Sequence, residues 1–192
     1  MQRRTLLTHY ATAAATASLG SAVLSVYAQA PASPLPPAHV AEAVPGATFS
    51  GSARMRFLGF EVYDSALWVA PGFKAASYAQ SPLILELTYL RSLGGQAIAK
   101  RSISEMRRSG PISAEQEQRW LAAMQQSFPD VKSGDRITGV HNPVSGARFW
   151  FNGLARAPIN DAEFSRLFFG IWLSSTTSEP ALRTALLANA PA

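Results

Sequence analysis

Two arginines set two apart in an apolar stretch are the side chains of this protein best placed for chemistry. Arg54 and Arg56 alternate with Ala53, Met55 and Phe57, and in an extended strand that spacing puts both guanidinium groups on one face. A guanidinium fixed on a sheet beneath an apolar cavity binds a carboxylate bidentately while the cavity takes a hydrocarbon or a ring. The same pattern also suits an arginine paired with an acidic side chain at a sheet edge, and spacing alone does not separate the two. Other chemistry has few residues to draw on. The chain has no cysteine and three histidines, which removes disulfides, thiolate metal sites and a cysteine nucleophile. His9 and His39 fall in the N-terminal and proline-rich stretches, leaving His141, just before Asn142-Pro143, as a turn or strand-end residue rather than a ligand. Zinc, copper and haem-thiolate sites are therefore poorly supported. No Gly-x-Ser-x-Gly elbow is present, and Gly94-Gly95 lacks the Lys-Ser/Thr of a phosphate loop. Glu61 and Asp64, three apart in a strand, are expected on opposite faces, not converging on one bond as glycosidase chemistry requires. Neither a metal nor a cofactor is expected.

The elements that must position these residues begin after an N-terminal address. Residues 1–30 start with Arg3-Arg4, contain no acid and run through Ala, Leu and Val to small residues, the layout of an export signal. The arginine pair resembles a twin-arginine signal. Cleavage is expected after Ala28 or Ala32, because Pro31 disfavours a cut at Ala30. Nothing later is long and apolar enough to span a bilayer, so a soluble periplasmic protein is expected. Pro31, Pro34, Pro36 and Pro37 mark residues 31–47 as an extended spacer outside any packed core. Removing residues 1–30 takes the net charge from +5 to +3, so the basicity is partly that of the address. Lys100, Arg101, Arg107 and Arg108 share their segment with Glu105 and read as a solvated helix face, not a nucleic-acid surface.

The domain is expected over Thr48–Leu187, with residues 188–192 as a tail. Thr48–Phe57 and Phe60–Val69 read as strands around Gly59. Leu83–Leu90 places Leu83, Leu85, Leu87 and Tyr89 on one face and the half-polar set Ile84, Glu86, Thr88 and Leu90 on the other. Helices are expected over Gln96–Ser109, stopped by Gly110-Pro111, and after Ser113, where Ser113 and Gln116 form a capping box. Trp120, Leu121, Met124 and Phe128 give that second helix a core stripe. Short antiparallel strands are read at Arg136–His141 and Ala147–Phe151, the latter running into the tight turn Asn152-Gly153. Asp161 and Ser178 are expected to cap two last helices. Strands, helices, strands, helices is an α+β order: a mostly antiparallel sheet with helices on one face.

GSARMRFLGFEVYDSALWVAPG, RSLGGQAIAKRSISEMRR and FSRLFFGIWLSS with TSEPALRTALL resemble the opening double strand, first long helix and C-terminal helices of the chalcone isomerase-like family. The resemblance covers about Thr48–Leu187 and implies an open-faced β-sandwich, a large antiparallel sheet with a helical layer. The family's plant enzymes cyclise a chalcone to a flavanone with an Arg on the oxyanion, a Thr and a Tyr ordering a water, and an Asn and a Thr or Ser at the far ring. Carried over by position, the Arg falls at Arg54, the first Thr at Tyr63, the Tyr at Ile98, the Asn at Glu105 and the last Thr or Ser near Ile171. Losing the hydroxyls removes much of the electrostatic assistance to an oxyanion. The family also holds non-catalytic fatty-acid binders that keep the Arg and carry Tyr in the strand, and this chain resembles those more. The resemblance thus implies a binder of a small apolar carboxylate such as a fatty acid, contacted by Arg54, Arg56, Tyr63, Ile98, Glu105 and Ile171. An isomerase of the intramolecular lyase type on a chalcone-like or other unsaturated carbonyl compound is the alternative, and a structural module of the cell envelope a third.

Overall fold

The computed structural model describes residues 34–190; the export signal read in residues 1–30 lies outside them. Six strands run in chain order as an antiparallel meander: β1 Thr48–Phe57, β2 Phe60–Val69, β3 Leu83–Tyr89, β4 Arg136–Asn142, β5 Gly146–Phe151 and β6 Leu154–Ala155. Four helices, α1 Gly95–Met106, α2 Ala114–Ser127, α3 Ala162–Leu173 and α4 Pro180–Leu186, complete an α+β fold with the α-helices on one face of an open sheet. Among the described residues no helix is long and apolar enough to cross a membrane.

The alternating face Leu83, Leu85, Leu87, Tyr89 is buried against this helical layer, together with Ile103 and Met106 of α1, Trp120 and Met124 of α2, and Phe164, Leu167 and Phe168 of α3. The caps explain where the helices start. Ser113 Oγ accepts from Gln116 N at 3.1 Å while Gln116 Oε1 accepts from Ser113 N at 2.9 Å, a reciprocal capping box. Asp161 accepts from Phe164 N at 2.9 Å and from Trp120 Nε1 at 2.8 Å, joining α2 to the start of α3. Two expectations shift. Helix α1 ends at Met106 rather than Ser109, and Glu179, not Ser178, stands at the cap of α4. The Ser178 hydroxyl instead donates to Glu105 Oε2 at 2.8 Å.

Within the expected spacer, residues 38–44 pack into the fold. Residues 38–43 wind into a 3₁₀ helix on the sheet face away from the α-helices, and Val40 and Val44 are buried there against Trp68, Ile84, Val140 and Trp150. Trp68 Nε1 donates to the Pro34 carbonyl at 2.9 Å. The half-polar face of β3 is therefore largely covered: Ile84 is buried, and Glu86 accepts from Thr138 Oγ1 at 2.8 Å.

Helix α4 returns to the first strand. Ser50 Oγ donates to the Leu186 carbonyl at 2.8 Å, and Asn189 N donates to the Ser50 carbonyl at 2.8 Å. The approach needs glycine at position 51, where a Cβ would stand 2.1 Å from the Ala185 carbonyl oxygen.

Candidate functional site

A β-bulge decides which side chains face the helical layer. Met55 pairs with Tyr63 and Arg56 with Glu61, so Val62 is an extra residue in β2. Such an insertion breaks strict alternation locally. Val62 and Tyr63 therefore both turn toward the helices, and Glu61 and Asp64 both turn away, correcting the expectation that those carboxylates lie on opposite faces. They meet the arginines there. Arg54 Nε and Nη2 donate to the two Asp64 oxygens at 2.6 and 2.8 Å, Arg54 Nη1 to Glu61 Oε2 at 2.9 Å, and Arg56 Nη2 to Glu61 Oε1 at 2.9 Å. Hydrogen bonds from Arg54, joined by Arg56 at Glu61, hold both carboxyls below their ordinary range, and the same bonds raise the Arg54 guanidinium further.

On the other face of the hairpin, between the sheet and helices α1, α3 and α4, lies a cavity of about 360 Å³. Met55, Val62, Leu87, Ile98, Phe168 and Ile171 give it an apolar wall. Of the residues singled out from the sequence, Tyr63, Ile98, Glu105 and Ile171 are brought together in that wall, whereas Arg54 and Arg56 are not part of it. Strand alternation placed the two arginines on one face correctly. That face is the one turned from the cavity, and their charge is spent on Glu61 and Asp64.

The polar groups of the cavity are few. Tyr63 Oη accepts from Trp172 Nε1 at 3.1 Å, and burial, reinforced by Glu179 and Glu105, pushes its phenol up to about 12. The Tyr89 ring sits 6.0 Å away edge-on, its phenol likewise raised by burial. Both are neutral donors at ordinary pH. Glu105 accepts from Arg101 Nη2 at 2.6 Å and from Ser178 Oγ at 2.8 Å. The Arg101 guanidinium lies 5.5 Å from the centre of the Phe57 ring, and that of Arg91 lies 5.1 Å from Phe60, cation–π distances. Arg91 has no carboxylate partner among the described residues.

Sequence reading missed Arg91, Arg101, Tyr89 and Glu179 in this wall. Helical spacing held a clue: Ile98, Arg101, Ser102 and Glu105 fall three or four apart, on one side of a helix. Arg101 belongs to this set as much as to the solvated cluster. His141 lies elsewhere, fully buried, with Nδ1 2.6 Å from Ser165 Oγ and Nε2 3.0 Å from the Ala79 carbonyl. Facing a carbonyl, Nε2 must carry a proton.

The chain belongs to the chalcone isomerase-like family, whose profile matches residues 48–188. It is 28% identical over 137 residues to an uncharacterized protein of Haemophilus influenzae, an alignment covering 71% of this chain and 66% of that one. The fold is similar to the crystal structure of an Arabidopsis thaliana fatty-acid binding protein, with a TM-score of 0.59, 12% identity, and coverage of 77% of this chain and 90% of the other.

Proposed function

We propose that this member of the chalcone isomerase-like family is an exported carrier that holds a fatty acid or similar apolar carboxylate without converting it. The observation that carries the reading is the cavity of about 360 Å³ walled by Met55, Leu87, Ile98 and Ile171. Its volume falls within the roughly 300–1,000 Å³ typical of small-molecule sites. The likeness of fold to a fatty-acid binding protein supports the same ligand class. The sequence points to Arg54 as anchor; with Arg54 committed to Asp64 and Glu61, the cations bordering the cavity are Arg101, itself paired with Glu105, and Arg91, which has no carboxylate partner among the described residues. The hydrocarbon then lies inward and the carboxylate outward, beside Arg91. A carboxylate pushed inward meets Glu105 and Glu179, which opposes the reverse orientation by like-charge repulsion. Export to the periplasm is supported by Arg3-Arg4 and the acid-free stretch that follows.

Native mass spectrometry of protein purified from its own host, followed by calorimetric titration with saturated fatty acids, tests the reading. A co-purified fatty acid is expected. Losing a charge-assisted bond through Arg91→Gln should weaken binding by roughly tenfold or more, while Arg54→Gln leaves it unchanged. An empty protein that takes up no fatty acid refutes the proposal. A second reading, an isomerase on an unsaturated carbonyl compound, draws on Tyr63 and Tyr89, two neutral phenols able to donate to an oxygen that gains charge. It fails if chalcone absorbance decays no faster than in buffer.

A further inference from the structure

Two turns of this protein have the same backbone and opposite chemistry. Leu58 and Gly59 have φ values of 50° and 81°, and Asn152 and Gly153 have 49° and 82°. Each pair joins two antiparallel strands by a two-residue turn. Asn suits the left-handed first position, and a branched apolar side chain does not. Asn152 is also put to use, accepting from Arg136 N at 2.8 Å and donating to Asp135 Oδ1 at 3.0 Å. Leu58 returns nothing to the fold: it belongs to neither core cluster and is 82% exposed. Phe57 and Phe60 beside it are 49% and 62% exposed. All three border the cavity, and Arg91 and Arg101 stack on the two phenylalanine rings.

We propose that the Phe57–Phe60 hairpin tip is an anchor for the surface of an anionic lipid bilayer. Leu58, Phe57 and Phe60 enter the boundary between headgroups and acyl chains, and the guanidinium groups of Arg91 and Arg101 lie at the phosphates. An apolar wedge backed by cations whose stems run along aromatic rings is the arrangement that suits a membrane interface. The tip runs past the end of β3, whose pairing with β2 begins only at Tyr63. Glu61 and Asp64 are matched by Arg54 and Arg56 and Glu105 by Arg101; Arg91, stacked on Phe60 at the tip, has no carboxylate partner among the described residues, and the remaining acid of the wall, Glu179, is on the helical side of the cavity. Docking here sets the rim of the cavity against the bilayer. One short wedge gives weak, reversible attachment.

The experiment uses no ligand, so its outcome is independent of the fatty-acid reading. Every element described above lies within residues 34–190. A chain beginning at residue 31 therefore keeps the fold without the apolar N-terminal stretch, which would itself bind lipid. Co-sedimentation is measured with vesicles of phosphatidylethanolamine and phosphatidylglycerol, and with phosphatidylcholine alone. The native chain should bind the anionic vesicles more tightly. Leu58→Asn and Phe60→Ser should each cut that binding roughly tenfold or more, as loss of one large apolar side chain implies. Arg91→Gln should remove most of the preference for anionic lipid. Leu58→Asn carries its own control for folding, because Asn fits the turn and its Tm should equal or exceed that of the native chain. The proposal is overturned if the native chain does not sediment with anionic vesicles, or if Leu58→Asn sediments with them as well as the native chain does. It is equally overturned if ultracentrifugation gives a dimer that Leu58→Asn dissolves while vesicle binding is absent, which makes the tip a contact between copies.

Discussion

Val40 and Val44 offer the sharpest test of whether the proline-rich segment belongs to the fold. They are 1% and 2% exposed, packed with Trp68, Ile84, Val140 and Trp150. Changing both to alanine removes two carbons from each. At about 0.8 kcal/mol per buried methylene, transfer alone amounts to roughly 3 kcal/mol. Incomplete collapse around the indole rings adds a cavity contribution, whereas coupling between two valines one turn apart reduces the sum. A loss of about 2–4 kcal/mol is expected, and at roughly 2–4 °C per kcal/mol for a domain of this size Tm should fall by roughly 5–15 °C. Urea unfolding followed by tryptophan fluorescence is the suitable assay, since Trp68 and Trp150 sit beneath the segment. Leu35→Ala serves as control: at 84% exposure it should change stability by less than about 0.5 kcal/mol. A double variant that unfolds with the control would refute the packing argument and return the segment to a loose tether.

At position 51 a Cβ would lie 2.1 Å from the Ala185 oxygen and 2.7 Å from that of Leu186, so Gly51→Ala must displace α4. A loss of about 1–3 kcal/mol and new protease cleavage within residues 180–190 are expected; unchanged resistance at that end would contradict the close approach. Burial holds the His141 imidazole below the ordinary 6.5, opposed by its bond to Ala79. The unfolded chain therefore binds more protons below that pH. Its contribution to stability is full above about 6.5 and declines as pH falls toward the folded value, with a slope no steeper than about 1.4 kcal/mol per pH unit. Urea midpoints taken from roughly pH 7.5 to 5 should fall in the native chain and stay flatter in His141→Gln; parallel profiles would exclude His141 as the group responsible.

Most of the sheet was legible because Leu83–Leu90 alternates and the turns around the other strands carry glycine. The Ser113 and Asp161 caps were equally plain, since capping depends on residues three apart in sequence. What alternation could not supply was the bulge at Val62. One inserted residue sends Glu61 and Asp64 to the same face and turns an apparent arginine anchor into an ion-pair cluster. Nor does a single strand say which of its faces meets the helices. Arg54 and Arg56 were correctly placed together, but the neighbours that decide their role arrive from β2. Tyr63, Ile98, Glu105 and Ile171 converge because the family resemblance carried tertiary information that local pattern lacks. The proline-rich segment was misread for the opposite reason: composition describes the stiffness of a chain, and Val40 and Val44 find their partners a long way off in sequence.

The return of α4 onto β1 bears on when this protein can fold. The β1–β2 and β4–β5–β6 hairpins can assemble as soon as they are made, and local pairing of that kind is fast, while β3 and β4 are brought together across α1 and α2. The first strand, however, stays incomplete until α4 is available: Ser50 needs Leu186 and Asn189, and the groove at Gly51 is filled by the backbone of residues 185–186. During synthesis the oldest strand thus waits for the youngest helix. Loss of residues 180–190 would therefore be felt first at β1, at the other edge of the described sequence.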